Sequence, residues 1–162
     1  MFAVTNQDKL LYIQAMLEVL AEASTTPTDS YEVEHIFAEG TCTRQMKVCA
    51  GTLVIGKRHK HSTINMLLQG EMLVMSDTGL PPQVLKAPCT FVSPPGDKKM
   101  GLAITDVVWC NVFPAASNNL DEVLAEAVIE EDAIKFKELK GVIACQLQQS
   151  QSAVQSALAQ QL

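Results

Sequence analysis

The chain has 162 residues and a formal net charge of −6, a length that suits one domain with a core needing no disulfide staples. Hydrophobic residues make up 48% and charged residues 19%, which excludes a disordered chain. The acidic balance argues against nonspecific binding to nucleic acid or to an anionic membrane, since both require a basic face.

No apolar run approaches the ~20 residues that span a bilayer. Met1 to Asp8 lacks the basic and apolar regions of a signal peptide, so the expected location is cytoplasmic. The five cysteines (Cys42, Cys49, Cys89, Cys110 and Cys145) are odd in number and form no C-x-x-C pair. They read as small core hydrophobes in a reducing compartment.

The first element is a helix. Thr5 and Asp8 suggest a capping box, and Leu10, Ile13, Leu17 and Leu20 recur at helical spacing with Met16 beside them. A breaker cluster, Thr25-Thr26-Pro27-Thr28-Asp29, ends the helix near Ser24. From Tyr31 to Phe113 the pattern changes to short apolar runs between turn signals. Strands are expected at 33–38, 42–49, 52–55, 64–68, 71–76, 83–85, 90–92, 100–104 and 107–113. Many short strands without intervening helices predict an antiparallel barrel or sandwich. Beyond Pro114, Asn118 or Asn119 caps a helix carrying Leu120, Val123, Leu124 and Val128. Ile134, Phe136 and Leu139 continue the apolar content, and Gly141 is the expected stop. In the Gln- and Ser-rich tail, Leu147, Val154, Leu158 and Leu162 form a thin apolar stripe, suited to a surface helix or an oligomer contact. The resulting division is 1–30, a helix and linker; 31–114, the strands; and 115–162, a helical extension, all one globular domain.

The stretch 51–71, GTLVIGKRHKHSTINMLLQGE, carries the densest chemistry. His59 and His61 share a face if both lie on a strand, because side chains alternate with period two. Two imidazoles make a weak metal site, and His35 is the one remaining histidine in the chain. Three imidazoles converge if the strand of His35 lies beside that of His59. Arg44, Lys57, His59, His61, Asn65 and Lys99 are all donors, and at one barrel mouth they would attract carboxylate, phosphate or an acidic protein surface. The competing reading makes Lys57, Arg58, Lys60, Lys98 and Lys99 solvated loop charges. Trp109 is read as core. No phosphate-binding glycine loop and no G-x-S-x-G elbow is present, and the acidic residues after Leu120 read as a solvated face.

The stretch 51–71 resembles the first cupin motif, and 87–99, APCTFVSPPGDKK, resembles the second. With Gly70 as anchor, His59 takes the place of a motif histidine. Lys57 stands for another histidine, Thr63 for the motif glutamate, and Lys99 for the second-motif histidine. Two ammonium groups at ligand positions repel a divalent cation. Glu34-His35, Phe37, Gly40, Arg44, Gly51-Thr52, 56–65, 87–99, Asp106 and Trp109 further resemble small cupin-like jelly-roll proteins commonly encoded by tailed bacteriophages and prophages.

The fold class read here is therefore mainly β: one cupin-like antiparallel barrel with an N-terminal helix and C-terminal helices packed outside. The resemblance implies a scaffold and a phage source more than a reaction. The expected function is nonenzymatic binding of a small polar or anionic ligand, or of a protein partner, by His35, Arg44, Lys57, His59, His61, Asn65 and Lys99. No cofactor and no catalytic residue is expected. The alternative is a metal-dependent enzyme holding Fe, Mn, Ni or Zn on His59, His61 and His35; a third is a structural part of a phage particle. A homodimer or larger homo-oligomer is expected, in the host cytoplasm or the virion.

Overall fold

The structure, a computed structural model, describes residues 6–23, 30–78, 81–130 and 133–159. The expected Thr5 cap, the stop at Ser24 and the breaker cluster lie outside them. The chain divides into two compact units, one from Thr28 to Glu130 holding every strand, the other holding the first and last helices.

In the helical unit, α1 (Asn6–Ala23) and α3 (Ala133–Ala159) pack together. Leu10, Leu11 and Ala15 of α1 and Ile143 of α3 are buried, and Glu18 pairs with Lys140 at 3.3 Å. Gly141 does not stop the helix; it lies inside α3. A glycine costs a helix interior only about 1 kcal/mol, and burial of Ile143 two residues later offsets that. Of the tail stripe, Leu147 is half-buried; the side chains of Val154, Leu158 and Leu162 lie outside the described ones.

The other unit is a two-sheet antiparallel barrel. One sheet has the order β1 (Tyr31–Ala38), β2 (Thr41–Val48), β10 (Val107–Pro114), β5 (Thr63–Gln69), β8 (Cys89–Ser93). The other runs β3 (Leu53–Ile55), β9 (Lys99–Ala103), β6 (Glu71–Ser76), β7 (Gln83–Lys86). A two-strand ribbon joins β4 (Arg58–His59) to β11 (Val128–Ile129). Between β10 and β11 lies α2 (Leu120–Ala127), capped by Asn119, whose side chain accepts from Asp121 N at 3.0 Å. Val128, expected in that helix, is instead in β11.

Partners opposite one another in a sheet point to the same face, so the register lays out the interior. One inner row of the five-stranded sheet is Val33, Met46, Trp109, Leu67, Cys89, all able to pack. Met46, Leu67 and Trp109 there are buried with Val48, Met72, Ala103 and Val107. The next row is His35, Arg44, Asn111, Asn65, Phe91, four of them polar. Beyond it, Cys42 and Phe113 pack with Val123, Ala127 and Val128, so α2 and β11 close that end of the barrel.

Gly70 makes the tight β5–β6 turn at φ +84, where a Cβ would lie 2.1 Å from the Asp106 backbone oxygen. Only glycine fits such a contact in the left-handed region. Cys42 and Cys110 are buried, and burial pushes both thiols above the ordinary range. Cys49 and Cys145 are exposed, against the expectation of a core role. Cys49 directly follows buried Val48 where β2 ends, and Cys145 lies two residues beyond buried Ile143 on α3, so neither thiol is on a packed face.

Candidate functional site

A cavity of about 380 Å³ lies between the two sheets. His35, Arg44, Lys57, His59, Asn65 and Lys99 line it. His61 does not; it is exposed on a bend. The strand alternation that would have aligned it with His59 ends at His59 itself, where β4 stops. The strand of His35 pairs with β2, while that of His59 pairs with β11, so the three imidazoles do not form one cluster.

Its floor is a buried chain of amides and hydroxyls. Asn65 Nδ2 donates to Ser93 Oγ at 2.7 Å and to Thr63 O at 3.0 Å. Asn111 Nδ2 donates to Asn65 Oδ1 at 2.8 Å. Asn111 and Ser93 were not singled out in the sequence. The available signal was a lone amide in VVWCNVF, otherwise the most apolar strand, since a buried amide is kept only where it is hydrogen-bonded.

The basic residues sort differently from the solvated-loop reading. Arg58 is half-buried against Asp77, with Nη2 to Oδ2 at 2.7 Å, and also donates to Gly96 O. Lys98 is buried. Lys99 is ion-paired with Asp97, which also accepts from Ser76 Oγ. Lys57 and Lys60 are exposed, as that reading expects. Arg44 is half-buried, faces the cavity and has no carboxylate partner among the described residues. Its burial lowers its pKa, against an opposing pull from Tyr31.

Burial, then Lys99 and Arg44, hold His59 below the usual imidazole range. Burial, then Arg44, does the same to His35. Both rings are therefore neutral at pH 7. Each also carries a buried nitrogen, Nδ1 of His59 and Nε2 of His35, with no hydrogen-bond partner among the described residues. His59 stacks obliquely on Phe113, centroids 5.4 Å apart.

Both depressed histidines fix the sign of a pH effect. Each folded pKa lies below the ordinary 6.5, so the unfolded chain takes up protons first as pH falls. Stability should be level above about pH 7 and decline as pH drops through 6.5 toward the lower folded values. Urea denaturation at pH 7.5 and pH 5 measures this. His59→Gln should shrink the difference between the two, and an undiminished difference would rule out His59 as a source.

This donor set does not suit a metal. Among the described residues no group of three His, Cys, Asp or Glu side chains is placed to hold one. The positions matching the cupin ligands hold one imidazole, His59, with Lys57, Thr63 and Lys99. Lys99 and Arg44 act on that imidazole electrostatically, and a cation there would meet the same repulsion.

No protein-family profile and no curated protein matches the sequence. Among solved structures, the chain is similar to the salicylate 1,2-dioxygenase of Pseudoaminobacter salicylatoxidans, with TM-score 0.52 and 15% identity over 78% of this chain and 35% of that one. An RmlC-like cupin from Shewanella frigidimarina has TM-score 0.47 and 19% identity, over 57% of this chain and 83% of its own. KdgF from Halomonas sp. has TM-score 0.46 and 15% identity, over 56% and 84%. The two-sheet antiparallel topology and the first of these likenesses show a fold shared with that dioxygenase, an antiparallel barrel of the kind the sequence motifs predict. At such identities the likeness carries the fold alone, and function must be argued from the site.

Proposed function

We propose that this chain is a nonenzymatic cupin-type binding protein that holds a small anion between its sheets, with Arg44 as the principal contact. The observation that carries this reading is the half-buried Arg44 guanidinium, which faces the cavity without a carboxylate. A desolvated guanidinium is costly alone and is best satisfied by a bidentate oxyanion. Lys99 lines the same cavity but is paired with Asp97, and neutral His35 and His59 offer unpartnered nitrogens to a ligand. The chain as a whole carries −6, so the cavity contrasts with its surroundings. The motif resemblance supports a phage or prophage setting. Homodimerisation belongs to the same reading, through edge strands such as β1, which has a strand neighbour on one side only among the described residues.

Thermal unfolding tests it. At constant ionic strength, 50 mM acetate or phosphate in place of chloride should raise Tm. Binding to the folded state alone stabilises by about 2.7 kcal/mol at a hundredfold excess over Kd. Arg44→Gln should keep the fold and lose the increase. The reading is overturned if neither anion shifts Tm, or if the variant shifts as the natural protein does.

A further inference from the structure

We infer that the ligand of this cavity is a small organic monocarboxylate with an apolar body, its carboxylate on Arg44 and its body between the two sheets beside Trp109. This rests on the anion-binding reading above and names the ligand class within it.

Two observations carry it. The first is charge. Lys99 is compensated by Asp97, and Lys57 is exposed at the cavity margin. Arg44 is left as the one inward cation without a partner among the described residues. One uncompensated positive charge matches a monoanion. A phosphate ester, at about −1.5 to −2 near neutral pH, would bring excess negative charge into a buried space.

The second is the wall beside Arg44. The row next to it on the same sheet supplies Val33, Met46 and Trp109 to the cavity, and the facing sheet supplies Val54, Met72 and Val74. Gly101, on the facing sheet, has no side chain, and the Met72 thioether occupies the space its Cβ would take. A sugar or other polyhydroxylated ligand would bury hydroxyls against these six side chains with nothing to accept them, a costly arrangement. An apolar body gains from the same burial. The amide chain of Asn65 and Asn111 lies in the Arg44 row, next to the row of Val33, Met46 and Trp109, so polar recognition sits directly beside an apolar wall.

Trp109 is the single tryptophan of the chain, so its emission reports on this wall directly. The full chain is titrated with cyclohexanecarboxylate, cyclohexanecarboxamide and inorganic phosphate, by calorimetry and by tryptophan emission. Cyclohexanecarboxylate should bind at least about tenfold tighter than either of the others, a factor in line with a charge-assisted contact. It should also shift the emission. Arg44→Gln, confirmed folded by circular dichroism, should lose about tenfold or more for the carboxylate and little for the carboxamide. If phosphate binds as well or better, the ligand class is wrong while the anion site stands. Equal binding of carboxamide and carboxylate, or carboxylate binding with unchanged emission, also overturns the inference. If none of the three binds, both this inference and the anion-binding reading fall.

Discussion

Arg58→Met is expected to cost about 3–5 kcal/mol, the usual penalty for leaving a buried ion without its partner. The Asp77 side chain is 3% exposed and that of Arg58 13%, so neither is screened by water as a surface pair would be. The pair is also a structural tie. Arg58 reaches from β4 to Asp77 after β6 and to Gly96 O in the β8–β9 turn. Asp77 Oδ1 in turn accepts from Lys98 N at 3.0 Å. Losing the guanidinium takes the paired charge from a carboxylate that still accepts from the Lys98 backbone. Asp77→Asn keeps the oxygen for Lys98 N while removing the charge, so the Arg58→Met/Asp77→Asn double variant should be more stable than Arg58→Met alone. Urea denaturation of all four proteins gives the coupling. A loss under about 1 kcal/mol for Arg58→Met would show that the pair does not hold these turns together.

The second large effect is at Trp109. Trp109→Ala should lose about 3–5 kcal/mol, the lost transfer energy plus a cavity that its neighbours cannot fill. Trp109 is 5% exposed and sits between Met46 and Leu67 in its row. It meets Phe91 edge-on, with ring centroids 5.8 Å apart at 76°. Trp109→Phe keeps an aromatic in the row and should lose clearly less. Chemical denaturation followed by far-ultraviolet circular dichroism reads both without needing the lost fluorophore. Should Trp109→Ala and Trp109→Phe cost the same, the depth of packing assigned to the indole is wrong.

Much of the barrel is legible in the amino-acid order. Short apolar runs cut by Gly40, Gly51, Gly70 and Gly96 specify where strands stop, and all four glycines adopt positive φ. The run 71–76 coincides with β6, and the other expected strands differ from the observed ones by one or two residues at one or both ends. The reason is local: alternation and turn chemistry act within a few residues. The composition of the basic and imidazole set near 57–65 is equally visible, and so is the capping of α2 by an asparagine.

The ribbon of β4 and β11 is not legible. Two residues carry no period, and these become strands because Lys60 N meets Ala127 O at 2.8 Å across 67 positions of sequence. The end of β4 turns His61 outward, which no local pattern announces. Gly141 stays helical because α1 covers the face beyond it. The fate of each cation is likewise a matter of distant neighbours. Arg58 and Lys99 look alike in sequence to Lys57 and Lys60, yet the first two meet Asp77 and Asp97 while the others are exposed and meet no carboxylate among the described residues. The row that joins His35, Arg44, Asn111 and Asn65 comes from strands separated by up to 76 positions. Strand pairing fixes that row through register, and register is set by which apolar faces can be buried together. Local order thus accounts for the strands and turns, while the site exists only once long-range pairing has aligned them, because a side chain's charge environment depends on what lies opposite and not on what lies next in the chain.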